Sequence, residues 1–319
     1  MRERSGMGLG LALLSALTFA TSGTFARSLI AGNWSAEALV LARVGIAALV
    51  LAVPALLALR GRWPVLRRNA GRVVVFGLLG VAVAQACFFN AVRYLPVGVA
   101  LLLEYLAIVL VVGWMWLVHG QRPRLLTVIG SLTALGGLVF VLDLTGGGRL
   151  DPIGVLWGLG AGVGLAGYFV IAGRVDAALP SVVMASGGMV VGALALALLG
   201  FARLLPLRAD TADVTFAGHQ VSWLVPIAGL SLIAAVVAYL SGVAGARLLG
   251  ARLSSFVGLT EVMFAVLIAW LVLGELPTAV QLLGGALIVI GVALVRLDEL
   301  RAPQAAPPAP AEPALAGER

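Results

Sequence analysis

Apolar stretches of about 20 residues, the length a helix needs to cross a bilayer, follow one another along nearly the whole chain. Ten are predicted, at 7–30, 38–59, 73–92, 96–118, 125–142, 153–173, 181–204, 222–246, 253–273 and 278–296. No segment alternates apolar and polar positions with period two, as the strands of an outer-membrane barrel would. In hydrocarbon every backbone polar group must find its partner within the protein, so the pattern predicts an all-α membrane protein with ten transmembrane helices. Connections are short, and the longest, PLRADTADVTFAGHQVS at 205–221, leaves no room for a folded soluble domain. From Arg301 the chain becomes RAPQAAPPAPAEPALAGER, a Pro/Ala-rich composition that predicts a disordered tail.

The polar interruptions of this pattern carry the most information. PVGVALLLEYLAIVLVVGWMWLVH at 96–119 holds a single acid, Glu104, with Tyr105 beside it, and LSSFVGLTEVMFAVLIAWLVLGE at 253–275 holds Glu261 within its apolar part. A charge in hydrocarbon costs several kcal/mol unless it is paired, protonated or facing water, so each is a candidate functional residue. Three readings stand for the pair: binding a substrate ammonium, accepting a coupling proton, or forming structural ion pairs. Each acid also lies only about 11–12 Å into its span at ~1.5 Å per residue, so exposure near a membrane end is a fourth. Arg43, early in the second span, either snorkels to the surface, pairs with Glu104, or offers its fork to a carboxylate. Thr21 belongs to an unusually polar first span, with Ser15, Thr18, Ser22 and Thr24. Gln85, Asn90, Tyr168 and Tyr239 are further candidate cavity liners, with interhelical hydrogen bonding as the plainer account of each.

A repeat relates the two halves. At a fixed shift of 154 positions, Arg93 matches Arg247, Gly120 matches Gly274, Pro123 matches Pro277, Gly130 matches Gly284 and Gly137 matches Gly291. Small residues at helical spacing let helices approach closely in lipid, which supplies a packing reason for the glycine matches. Units of five spans are odd in number, so the second enters the membrane from the opposite side. The expectation is two inverted five-helix repeats, 7–142 and 153–296, followed by a disordered cytoplasmic tail at 297–319. Such repeats are typical of secondary transporters, whose sites lie at the repeat interface near the midplane. Glu261 shifted back by 154 falls on Ala107, one helical turn from Glu104, so the acids are near-mates rather than strict ones.

Composition narrows the function class. The 319-residue chain is 61% hydrophobic and only 11% charged, against roughly 25% charge in soluble domains. The net charge of +7 does not signal nucleic acid, because the 21 basic residues, all Arg, are scattered among short loops. With the N-terminus inside, most of them fall on inner segments, led by RGRWPVLRR at 60–68, so both termini are expected in the cytoplasm. The N-terminal apolar run reaches about Ile30, too long for a cleavable signal, and is read as the first span. Cys87 is the only cysteine, so no internal disulfide can form. His119 and His219 stand in loops without a ligand cluster, so neither a metal nor any other cofactor is expected. No phosphate-binding loop, nucleophile elbow or intramembrane His-Glu-x-x-His appears, and an enzyme is not expected.

The segments LVLARVG at 39–45, LPVGVALLLEYLAIVLVVGWMWLV at 95–118 and LTEVMFAVLIAWLVLGELPTAVQLLGGALIVIGVALV at 259–295 resemble the EamA-type carriers of the drug/metabolite transporter superfamily. LPVGVALLLEY is most similar to the threonine/homoserine exporter branch. The resemblance covers roughly 7–296 and implies a carrier of the bacterial cytoplasmic membrane that exports a small polar metabolite, an amino acid or analogue, by alternating access. Efflux of cationic drugs is the rival within transport. A small-molecule substrate and the bilayer are the implied partners, with proton coupling through Glu104 or Glu261 and a homodimer as open additions. Members commonly carry Pro shortly after both acids; here Ile108 and Val262 stand there, and a straighter helix is expected. The family's Leu-Gly-Glu turn is kept at Glu275, whereas the first half has Gln121.

Overall fold

The computed structural model describes residues 2–95, 97–141, 151–174, 176, 178–273 and 278–301. The first half comprises α1 (Arg2–Ala20), α2 (Ser22–Ala31), α3 (Ala36–Ala58), α4 (Trp63–Phe76), a π-helical segment at Gly77–Val83, α5 (Ala84–Tyr94), α6 (Val97–Tyr105), α7 (Ala107–His119) and α8 (Leu125–Val141). The second comprises α9 (Pro152–Ala172), α10 (Ser181–Phe201), a hairpin of β1 (Val214–Phe216) and β2 (His219–Val221), α11 (Leu224–Ala228), a second π-helical segment at Gly229–Val237, α12 (Ala238–Leu249), α13 (Ala251–Gly258), α14 (Thr260–Leu273) and α15 (Ala279–Arg301). Among the described residues nine helices are long and apolar enough to cross a membrane, and Leu125–Val141 is a shorter apolar helix where the fifth span was expected.

Local chemistry sets the helix ends. Ser35 caps α3, its hydroxyl accepting from the Ala38 N–H at 3.3 Å. Asp151 caps α9 by accepting from the Ile153 and Gly154 N–H groups at 2.8 and 3.3 Å, with Pro152 at the first turn, where its missing donor costs nothing. Gly250, at φ +80°, makes the turn between α12 and α13 that a side chain would strain.

Small residues bring the helices together. The most extensive helix pair is α8 against α15, where the repeat-matched glycines meet crosswise. A Cβ on Gly137 would stand 2.6 Å from the Gly284 carbonyl oxygen, and one on Gly130 would stand 2.8 Å from that of Gly291. In α9, Gly162 faces the Leu103 carbonyl at 2.8 Å and Gly164 faces the Ala84 amide at 2.6 Å by the same measure. Backbone contact replaces side-chain packing, as expected where no hydrophobic force drives helices together in lipid. One buried polar pair joins α8 to α15: the Thr127 hydroxyl donates to Asp298 Oδ2 at 2.6 Å, both residues being buried.

Several expectations are corrected. The first span is interrupted at Thr21, between α1 and α2. The third begins at Trp63 rather than 73, because Pro64 in the first turn starts a helix that carries Arg67, Arg68 and Arg72. Within that span and the eighth, the helix widens into π-turns at nearly the repeat shift. The 205–221 connection contains the β-hairpin. Helix α15 continues through Arg301, so 297–301 is helical rather than a tail, with Asp298 anchoring it to α8. The remaining tail, 302–319, and the Leu-Gly-Glu turn at 273–275 beyond Leu273 lie outside the described residues.

Candidate functional site

Arg43 does not snorkel. It is 3% exposed, and its guanidinium is turned inward from α3. Nη1 donates to Ser22 Oγ at 3.1 Å and Gln85 Oε1 at 3.3 Å, and Nη2 donates to the Ala234 carbonyl at 2.5 Å. The guanidinium carbon lies 5.6 Å from the Phe19 ring centre, a cation–π distance, and Nε is buried without an acceptor. Four elements therefore hold one cation: α2, α5, the second π-segment, and α1 through Phe19.

The π-segments explain part of this arrangement. A π-turn displaces carbonyls from the i→i−4 ladder and often marks functional places. Ala234, in the second segment, gives its carbonyl to Arg43, and Gly80, in the first, accepts from the Tyr239 hydroxyl at 3.2 Å. Just beyond the second segment, the Ala238 carbonyl accepts from Ser15 at 2.8 Å. Tyr239 and Tyr168 are both buried, with ring centres 5.6 Å apart and edge-on. Tyr239 also meets Phe19 at 5.1 Å, and Tyr168 meets Phe76 at 5.3 Å. The Tyr168 hydroxyl is buried without a hydrogen-bond partner.

On the other side stand the acids. Glu104 and Tyr105 close α6, and Glu261 opens α14. Tyr105, 3% exposed, donates from its hydroxyl to Glu261 Oε2 at 2.9 Å, with the Gly258 carbonyl at 3.3 Å. Glu104 is partly exposed and has neither hydrogen bond nor ion pair among the described residues. Both acids act electrostatically on Arg43 across the interior, though neither comes within ion-pair distance of it.

The structure thus brings together Arg43, Gln85, Tyr168 and Tyr239 on one side and Glu104, Tyr105 and Glu261 on the other. Thr21 donates to the Thr18 carbonyl at 2.7 Å at the junction of α1 and α2, and Asn90 donates to the Ala86 carbonyl at 2.8 Å within its own helix. Sequence reasoning left the Gly80 and Ala234 carbonyls unseen, since hydropathy cannot register a π-turn, and it gave Phe19 no part. Among the described residues no group of three or more His, Cys, Asp or Glu could hold a metal.

The EamA-like transporter family matches residues 6–143 and again 152–297. The chain belongs to the EamA-like transporter family. As a member it is a multi-pass membrane transporter, part of the drug/metabolite transporter superfamily, with a small molecule as cargo. It is similar to YicL, an uncharacterized inner membrane transporter of Salmonella typhimurium, at 25% identity over 75% of this chain and 77% of that one. It is also similar to YwfM, an uncharacterized transporter of Bacillus subtilis, at 26% identity over 67% of this chain and 71% of that one. A crystal structure at 22% identity shares the EamA-like fold, with TM-score 0.73 over 92% of this chain and 99% of the other.

Proposed function

We propose that the chain is a secondary carrier that moves a small zwitterion, an amino acid or analogue, outward across a bacterial cytoplasmic membrane. Its two units, 7–142 and 153–296, are read as inverted five-helix repeats that alternate access to the interior between them, with both termini in the cytoplasm. The threonine/homoserine exporters supply the substrate reading by resemblance. The observation that carries it is the separation of charge inside the protein. Among the described residues Arg43 is a buried, pre-positioned guanidinium whose Nε has no acceptor, and Glu104 is an acid without a protein partner. A carboxylate on Arg43 and an ammonium on Glu104 complete both groups at once. Leaving either unmatched in a low-dielectric interior is costly, so the occupied site is favoured over the empty one.

Counterflow of labelled threonine in proteoliposomes tests the reading, with a quaternary ammonium dye as the competing cargo. The expected result is threonine exchange that falls at least tenfold in Glu104→Gln. Unchanged exchange in that variant removes Glu104 from the site. Transport of the dye in preference to threonine favours the cationic-drug reading, in which Arg43 meets no group of the cargo.

A further inference from the structure

The two acids differ in their surroundings. Among the described residues Glu104 has no hydrogen-bond partner, whereas Glu261 is engaged by Tyr105, a residue of the opposite half. Charged and titratable groups face Glu261 from several elements: Glu104 and Tyr105 of α6, Arg43 of α3, Tyr168 of α9 and Tyr239 of α12. Of these only Tyr105 bonds to it. Arg43 donates instead to Ser22, Gln85 and Ala234, and Tyr239 to Gly80.

The elements carrying this bond are unequally anchored. Helix α6 is seated on α9, where a Cβ on Gly158 would stand 2.5 Å from the Leu103 side chain and one on Gly162 2.8 Å from the Leu103 carbonyl. Helix α14 rests chiefly on α1 and touches α13, α15, α8 and α2 only slightly. Beside it lies an apolar groove of about 410 Å³, partly open to the protein's outer surface and lined by Met263, Phe264, Leu267, Trp270, Gly285 and Val289 among others, which leaves α14 unsupported on that side. Its base is a break at Leu259. There the hydrogen bonds run three residues back, Leu259 N–H to Phe256 at 3.1 Å and Val262 N–H to Leu259 at 3.2 Å.

We propose that Glu261 is the coupling-proton site of the carrier and that its bond from Tyr105 is the latch the proton controls. The charged carboxylate accepts from Tyr105 and holds α14 against α6. A proton taken from water onto the carboxylate turns the acceptor into a neutral acid, and a hydrogen bond to a neutral group has about half the strength of one to a charged group. The Tyr105 hydroxyl then keeps only its weaker contact with the Gly258 carbonyl, and α14 swings about Leu259 into the adjoining groove. Loss of the proton restores the latch. Glu104 stays committed to the substrate ammonium, so proton and cargo occupy different acids. The proposal rests on the alternating-access reading above, and its test separates the two.

Spin labels at Val139→Cys on α8 and Leu271→Cys on α14, in a Cys87→Ala background in lipid nanodiscs, report the position of α14 without any cargo. Between alkaline and acidic buffer the wild-type distance is expected to shorten by about 5 Å, the rise of one helical turn, because Val141 of α8 lines the groove that α14 enters. Glu261→Gln and Tyr105→Phe are expected to show the short distance at both pH values, while Glu104→Gln keeps the full pH response. A pH-independent wild type, a pH response surviving in Glu261→Gln, or its loss in Glu104→Gln overturns the assignment. Threonine counterflow in the same wild-type preparation reads the carrier role independently: counterflow without the distance change refutes the latch alone, and the distance change without transport of any offered solute refutes the carrier reading alone.

Discussion

Gly284→Ala measures how much the α8–α15 contact depends on missing side chains. The added Cβ would lie 2.5 Å from the Gly137 carbonyl oxygen and 2.6 Å from the Val141 amide nitrogen, where ordinary contact begins near 3.4 Å. Both opposing atoms are backbone, so no rotamer change relieves the clash, and the helices must separate locally by about 0.9 Å, the difference between 3.4 and 2.5 Å. Overpacking of this kind costs about 1–3 kcal/mol. Gly136→Ala, on the same pair of helices, is the internal control, since nothing lies within 4 Å of its Cβ position. That variant should be neutral or more stable by up to about 1 kcal/mol, from helix propensity alone. Gly137→Ala should match Gly284→Ala, and the double variant should cost less than the sum, because one separation relieves both clashes. Thermal unfolding of the purified protein in a single detergent reads all four. Equal stability of Gly284→Ala and Gly136→Ala refutes the close-approach argument.

Two further outcomes follow from buried polar groups. Thr127→Val removes the hydroxyl that donates to the buried Asp298 and leaves a carboxylate oxygen short of a donor; a loss of about 1–3 kcal/mol is expected in the same unfolding assay, and adding Asp298→Asn to Thr127→Val should recover part of it, because a neutral amide is cheaper to bury than an unpaired carboxylate. Arg43→Lys keeps the charge but cannot span Ser22, Gln85 and the Ala234 carbonyl with one ammonium. Its apparent affinity for threonine should fall about tenfold, roughly 1.4 kcal/mol, while an amine lacking the carboxylate is little affected; equal losses for both probes argue against a carboxylate site.

Hydropathy located most of the helices, because a bilayer leaves the backbone few alternatives, and the glycines at 130, 137, 284 and 291 marked places of close approach without saying which helices meet there. The acids were legible for the same reason: Glu104 and Glu261 stand out in apolar runs. What escaped detection is everything that depends on direction rather than depth. Arg43 sits near enough to a span end to snorkel, and only the packing of α1, α2, α5 and the second π-segment around it determines that it points inward. Asp298 looked like the start of a polar tail, since its partner Thr127 is far away in sequence and inconspicuous in a helix. The π-turns left no trace because they alter hydrogen-bond register without altering which residues are apolar.

The breaks beside the two acids make the same point about cause. Relatives that carry Pro after these acids obtain a kink covalently, by deleting an N–H; here Ile108 and Val262 retain theirs, which argued for straight helices. The structure nevertheless interrupts the helices at Leu106 and at Leu259. At Leu106 the N–H is shared between the Leu102 and Leu103 carbonyls, at 3.2 and 3.3 Å, and Gly162 of α9, bare of a side chain, lets α9 approach the carbonyls of Leu103 and Glu104. At Leu259 the residue before the break, Gly258, abuts the Phe169 ring of the same α9. Both interruptions therefore lie where α9 comes close to the backbone, held by packing rather than by a proline that permanently removes a donor. A break held by packing can close again when the packing changes. That places reversible joints directly beside Glu104 and Glu261, where a carrier needs its charge-bearing residues to be fixed in each state and free to turn between them.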